Sequence, residues 1–355
     1  MTIKVTRNPA PPAPPTGNFG FGQIFTPHMF KLDYHNGRWE NPRIEPYGPL
    51  TFDPAAKVLH YGQEIFEGMK AYRNAKTGEV HMFRPDKNIR RMNLSCERIC
   101  MPRLDEDLFM EALERLIDLD RDWVPESPDA LYIRPTMIAT QVGLGVKAAT
   151  EYLFFIIIGP VGSYFARGIN PLRLRAEERF VRSAPGGTGA AKTGGNYAAA
   201  LLPIQLAQTD GFDQIIWLDA CEKKYVEEMG AMNIAFVYED RIQTAPTGDT
   251  ILDGVTRDSV GYLCADLGYR WLEERPVVKQ VCDDADTGRL KEVFACGTAA
   301  VVTPVGVIHC AGKDHRIADG KEGPITRQLR ETLCEIHEGQ SELHPEWVHL
   351  VPHFD

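Results

Sequence analysis

Between residues 18 and 162 the chain alternates turn signals with short apolar pieces. IFTPHMFKLDY, LTFDPAAKVLHYG, IFEGMKAYR, VHMFRP, LYIRPTMIAT and YLFFIIIGPV all read as strands. Among them lies DLFMEALERLIDL, where Leu108, Phe109, Ala112, Leu113, Leu116 and Ile117 recur at helical spacing and Asp105 is placed to cap the start. The pattern predicts an α+β segment.

A polar, glycine-bearing stretch follows, and residues 163–175 are expected to link two domains. The second half opens on a glycine cluster and NYAAALLPIQLAQ, a helical pattern that Pro203 should bend. QIIWLD and MNIAFVYED read as strands, GVTRDSVGYLCADLG as a helix, PVVKQV as a strand, TGRLKEVFA as a helix and TAAVVTPVGVIH as a long strand. In PITRQLRETLCEIHEG, Pro324 suits the first turn of a helix and Gly339 its C-terminal cap. The expected organisation is a disordered proline-rich start over 1–17, a small domain over 18–162 and a large domain over 176–355.

Composition narrows the functional classes. The chain has 355 residues, enough for two domains, because a single core rarely grows beyond roughly 250 to 300 residues. Its net charge of −10 disfavours nucleic acid. The longest apolar run, YLFFIIIGPVG, falls short of the roughly 20 residues that span a bilayer, and MTIKVTRNPAPPAPPTG lacks the features of a leader. A cytoplasmic protein is expected. Eight cysteines without a C-x-x-C fit reduced thiols, and the histidines show no metal-ligand spacing, so no metal is expected.

The richest chemistry lies in GGTGAAKTGGNY, residues 186–197. A P-loop requires glycine immediately before its lysine, and here Ala191 precedes Lys192. Lys192 is then either a solvated loop lysine or an amine with a purpose. Gly194 and Gly195 allow a flat ligand to approach, and Tyr197 offers a phenol nearby. A lysine that forms a Schiff base needs such a setting to become neutral and nucleophilic.

In VEEMGAMN, Glu227 and Glu228 read either as hairpin surface charges or, for Glu228, as the carboxylate that faces a pyridine nitrogen. In LDGVTRDSV the N–H groups of Gly254, Val255 and Thr256 open a helix and suit an anion, although Asp253 alone is an adequate N-cap. Thr298 supplies a hydroxyl in CGTAAVV, and Arg90 or Arg91 in FRPDKNIRRM is placed to clamp a phosphate.

Taken in order, these pieces resemble the class IV pyridoxal-phosphate-dependent aminotransferases, most closely the branched-chain amino acid aminotransferases. The resemblance runs from about Phe25 to Val351 through FTPHM, LHYGQEIFEGMKAY, FRPDKNIRRM, DWVP, LYIRP, GPVGSYF, GGNYAAA, VEEMGAMN, GVTRDS, EVFACGTAAVVTPV and HPEW. It implies an α+β fold of two domains, a smaller α/β sandwich-like one and a larger pseudobarrel. It places pyridoxal 5'-phosphate between them in a homodimer.

Position by position, the resemblance makes Lys192 the Schiff-base lysine and proton shuttle. Tyr197 would meet the ring hydroxyl and Glu228 the ring nitrogen. Arg91, Val255, Thr256 and Thr298 would hold the phosphate. Phe25, Tyr61, Phe66, Tyr132 and Val146 would wall the substrate pocket, part of it lent by the partner subunit, and Thr298 and Ala299 would present N–H groups to the substrate carboxylate. Arg134 would pair with the side-chain carboxylate of glutamate, so that one pocket serves leucine, isoleucine or valine and also glutamate with 2-oxoglutarate. The 2-oxo acids of the branched-chain amino acids complete the expected substrate set.

The chain departs from the family at several places. Ala300 and Thr303 stand where mammalian members carry C-x-x-C, so no redox switch of that kind is expected. Ala231 removes a hydroxyl or glycine near the ring nitrogen, and Asp253 replaces the usual proline before the phosphate turn. The rivals are a D-amino acid aminotransferase or an aminodeoxychorismate lyase of the same fold, a P-loop protein, and a non-catalytic binder.

Overall fold

The computed structural model describes residues 1–162, 168 and 170–354, so part of the expected linker and the end of the GPVGSYF motif lie outside the described residues. The chain forms two compact units, one of Met1–Ser163, Ala191–Gly194 and Glu335–Asp355, the other of Tyr164–Ala190 and Gly195–Cys334.

In the first unit the described residues form a nine-stranded sheet. Its order is Lys4–Val5, Arg38–Pro46, His28–His35, Tyr152–Val161, Ala130–Ala139, Met69–Arg73, Val80–Phe83 and Val348–Leu350, with Glu64–Phe66 pairing beside Ala130–Ala139. Two helices, Pro85–Arg98 and Glu106–Leu119, contribute Ile89, Met92, Leu113 and Leu116 to the same core as Phe30, Ile133 and Phe154. Asp105 caps the second helix as expected, its carboxylate accepting from the Leu108 N–H at 2.8 Å.

From Leu131 onward the strand Ala130–Ala139 alternates. Leu131, Ile133, Pro135, Met137 and Ala139 are buried, while Tyr132, Arg134 and Thr136 are half-buried on the other face. The two-residue period thus presents Tyr132 and Arg134 side by side, away from the core.

Two boundaries differ from expectation. The start of the chain is ordered, since Lys4 and Val5 pair parallel with Arg43 and Ile44 and Ile3 is buried, because a lone apolar residue here completes the sheet edge. The last segment joins the first unit and not the domain expected over 176–355, because Val348, His349 and Leu350 pair with Phe83, Met82 and His81.

The second unit also carries a nine-stranded sheet among the described residues. Its organising strand is Val301–Cys310, whose first half pairs antiparallel with Glu292–Gly297 and whose second half pairs parallel with Leu172–Glu177. Gln214–Leu218 and Val226–Met229 extend one end, and Asn233–Val237, Ile242–Thr244 and Trp271–Glu273 the other. The mixed helix and strand content is the α+β fold expected.

Some elements depart from the sequence expectation. LTFDPAAKVLHYG ends in a one-turn helix, Val58–Tyr61. PVVKQV begins a helix, Val278–Asp286, because Val278, Val281, Cys282 and Ala285 fall on one buried face. The expected helix TGRLKEVFA contains the start of strand Glu292–Gly297, which lies between two strands and is buried nearly throughout.

Candidate active site

The peptide of Lys192 is pinned on both sides within the first unit. Its N–H donates to Ser95 Oγ at 2.9 Å, its carbonyl accepts from the Phe66 N–H at 3.0 Å, and the next hydroxyl, Thr193 Oγ1, donates to the Glu64 carbonyl at 2.7 Å. The half-buried side chain sets Nζ 5.1 Å from the Phe66 ring centroid. A freely solvated loop lysine has no such anchorage. Gly194 follows because a Cβ there would overlap the Glu64 carboxylate. Burial raises the pKa of Glu64 above its ordinary value, against the Gly194 N–H and the Arg134 charge.

Arg134 lies over the same Phe66 ring, 4.7 Å from its centroid, and donates from Nη2 to Tyr132 Oη at 2.9 Å. Its Nε is buried and meets no acceptor among the described residues. Phe21, not singled out by sequence reasoning, packs edge-on against Tyr132 at 4.9 Å. Phe25 stacks on Tyr47 at 5.2 Å. Tyr61 is 42% exposed, its hydroxyl bonded to the Leu144 carbonyl, and Val146 is 85% exposed, so neither joins the Phe66 group within one chain.

Arg91 is held by Glu67, through Nε to Oε1 and Nη2 to Oε2, both at 2.8 Å. Asn88 also donates to Glu67 Oε2 at 2.8 Å. Burial would raise the Glu67 pKa, but the charges of Arg91 and Lys192 outweigh it and hold the carboxyl below its ordinary value. Glu67, the acidic residue of F-E-G, has no role assigned by the sequence motif. It lies between the strands Glu64–Phe66 and Met69–Arg73, among other charged residues, so the sequence does not single it out.

A second group lies in the second unit. Glu227 and Glu228 are both buried in Val226–Met229, so neither is a hairpin surface charge. Glu228 Oε1 accepts from Asn233 Nδ2 at 3.1 Å and from the Leu252 N–H at 3.0 Å, and Oε2 meets Arg182 Nε at 2.5 Å. Sequence reasoning missed Arg182, which sits in a polar, proline-broken stretch without a motif.

Gly254, not Asp253, occupies the N-cap of Val255–Asp266, and Asp253 is exposed. Val255 and Thr256 are buried residues, and their N–H groups meet no acceptor among the described residues. An anion at this helix start would satisfy both donors, so the residues present fit a phosphate group. Thr298 and Ala299 are half-buried in the turn after Glu292–Gly297. Tyr197 is half-buried in the first turn of Gly194–Thr209.

The loop before Lys192 is fixed as well. Asp249 accepts from the Gly186 N–H at 2.6 Å through Oδ2 and from the Ala190 N–H at 3.1 Å through its carbonyl. Among the described residues no cluster of His, Cys, Asp or Glu is placed to hold a metal ion, and no helix is long and apolar enough to cross a membrane.

Comparison with known proteins adds independent findings. The amino-transferase class IV family model matches residues 64–308. The branched-chain-amino-acid transaminase 1 of Bacillus subtilis (strain 168) is 49% identical over 330 residues, 92% of each chain. The branched-chain-amino-acid aminotransferase of Mycobacterium tuberculosis (strain ATCC 25618 / H37Rv) is 47% identical over 327 residues, 90% of this chain and 89% of the relative. Among solved structures, the branched-chain amino acid aminotransferase of Thermobaculum terrenum in its PLP-form (holo-form) aligns with a TM-score of 0.77 and 24% identity, covering 93% of this chain and 100% of that one, and so shows the same fold. On the breadth of the family match and the near-complete coverage of its relatives, the chain belongs to the class IV aminotransferases, in the branch of the branched-chain amino acid aminotransferases.

Proposed function

We propose that the protein transfers an amino group reversibly between L-leucine, L-isoleucine or L-valine and 2-oxoglutarate, using pyridoxal 5'-phosphate held by Lys192. One observation carries this reading: the Lys192 amine and the Arg134 guanidinium address the same apolar ring, Phe66, at 5.1 and 4.7 Å. An amine beside an apolar wall suits the aliphatic substrate. A guanidinium with a buried, unpartnered Nε suits the side-chain carboxylate of the alternative one, whose charge would otherwise be costly to bury.

Bound pyridoxal phosphate supplies the carbonyl and the electron-accepting ring. Lys192 Nζ would hold the cofactor at that carbonyl and would carry the proton at the substrate Cα. Tyr197 orients the ring hydroxyl and Glu228 holds the ring-nitrogen proton. Arg91, the N–H groups of Val255 and Thr256, and Thr298 hold the phosphate. Thr298 and Ala299 receive the substrate carboxylate, and Phe25, Tyr61, Phe66, Tyr132 and Val146 form the wall.

The wall includes residues left open in a single chain. Val142, Leu144 and Val146 are exposed together, at 57%, 62% and 85%, which supports a homodimer whose partner subunit covers this loop. A cytoplasmic location accords with the absence of a membrane-crossing helix among the described residues.

The test is the absorption spectrum of the purified yellow protein mixed separately with L-leucine, D-alanine and aminodeoxychorismate. L-leucine is expected to convert the bound cofactor to its aminated form. Conversion by D-alanine alone, or turnover of aminodeoxychorismate alone, overturns the assignment in favour of the corresponding rival.

A further inference from the structure

Arg182 joins three stretches of chain. Besides the 2.5 Å contact from Nε to Glu228 Oε2, Nη1 donates to the Thr250 carbonyl at 2.7 Å and to the Gly189 carbonyl at 3.1 Å, and Nη2 donates to Gly189 at 3.2 Å. The side chain is 7% exposed and that of Glu228 is 3%. Gly189 lies three residues before Lys192 and Thr250 five before Val255. A Cβ at Gly189 would collide with the Thr250 backbone, so the two carbonyls converge on one guanidinium only because this residue is glycine. Glu228, the lysine loop and the approach to the phosphate helix are therefore tied by one side chain.

The two Glu228 oxygens are treated differently. Oε1 receives two neutral donors, Asn233 Nδ2 and the Leu252 N–H, and Oε2 receives the cation. A buried carboxyl without a cation takes up a proton in preference to carrying charge. In that neutral state it could not stabilise a protonated ring nitrogen.

We propose that Arg182 is a positioning residue: it keeps Glu228 anionic and holds it in register with the lysine loop and the phosphate helix. The inference rests on the function proposed above, in which Glu228 faces the ring nitrogen. Arg182 touches neither cofactor nor substrate in this account and acts through Glu228.

The experiment measures binding of two cofactors to the full chain after resolution of its native cofactor. One is pyridoxal 5'-phosphate, and the other is its 1-deaza analogue, in which carbon replaces the ring nitrogen and the aldehyde, hydroxyl and phosphate remain. Wild-type protein is expected to prefer the natural cofactor by about tenfold or more, the scale of a charge-assisted hydrogen bond. Glu228→Gln and Arg182→Gln are both expected to shrink that preference to about threefold or less.

Arg182→Lys keeps a charge but cannot span all three acceptors. It is expected to retain the preference while binding both cofactors about tenfold more weakly. Arg182→Gln that weakens both cofactors equally and keeps the wild-type preference overturns the proposal, since a merely structural role moves affinity and not the ratio. If the glutamine variant does not fold, the lysine variant decides, and wild-type affinity for both cofactors there overturns the positioning role. Absence of any preference in the wild type overturns the ring-nitrogen role of Glu228 itself, whereas a preference lost in Glu228→Gln and kept in Arg182→Gln overturns only the role of Arg182.

Discussion

Glu67 grips the Arg91 guanidinium in a two-pronged pair, with Nε and Nη2 both 2.8 Å from its oxygens, and the carboxylate is fully buried. This fixes the plane of the guanidinium before any ligand arrives, which a phosphate anchor requires and a flexible side chain lacks.

Breaking that pair removes two 2.8 Å charge-assisted hydrogen bonds from a buried guanidinium. Glu67→Gln is expected to lower stability by about 3 to 5 kcal/mol, measured as a lower urea midpoint at unchanged slope. A loss below about 1 kcal/mol would place Arg91 in a wetter environment than the structure describes.

In the proposed reaction Arg134 would separate the two halves. Arg134→Gln is expected to raise the KM for 2-oxoglutarate by about tenfold to a hundredfold, the scale of one charged hydrogen-bonding partner. The KM for L-leucine should change by no more than about threefold, because an aliphatic side chain makes no use of the charge. Equal losses for both substrates in steady-state assays would assign Arg134 to the shape of the pocket alone.

Glu227 lies one residue from Glu228 in the same strand, with Oε1 accepting from Thr250 Oγ1 at 2.8 Å and Oε2 buried without a partner. Burial, helped by the Asp219 charge, raises its pKa above 4.5, with Thr250, Arg182 and Arg275 opposing. The folded protein therefore holds this proton where the unfolded chain has lost it, and stability falls as pH rises from 4.5 through the higher folded value. Glu227→Gln is expected to remove that fall, so its Tm exceeds that of the wild type at neutral pH and converges with it below pH 4.5. Parallel Tm curves for the two proteins across the range would show that Glu227 carries no shift.

Local patterns made much of the fold legible. The helix over Glu106–Leu119 follows from the spacing of Leu108, Phe109, Ala112 and Leu113, and its start from Asp105, because capping and amphipathicity are written within one turn. PVVKQV misled because its β-branched residues suggest a strand, whereas Val278, Val281 and Cys282 pack at helical spacing. LKEVFA misled in the opposite sense, since Glu292–Gly297 is enclosed by strands on both sides and shows no alternation. Lys192, Arg134 and Glu228, the residues proposed for the site, stand in ordered motifs that a sequence displays. Glu67 stood in a motif without an assigned partner. Arg182 was invisible because its acceptors at Gly189 and Thr250 are backbone carbonyls, which no side-chain pattern encodes.

Lys192 is the residue proposed to carry the cofactor. Reduction of the purified holoenzyme with borohydride, followed by proteolysis and mass spectrometry, tests this directly. The expected result is loss of the yellow band with a single pyridoxyl phosphate adduct on the peptide containing Lys192. An adduct on any other lysine, or full retention of the colour after reduction, would contradict it.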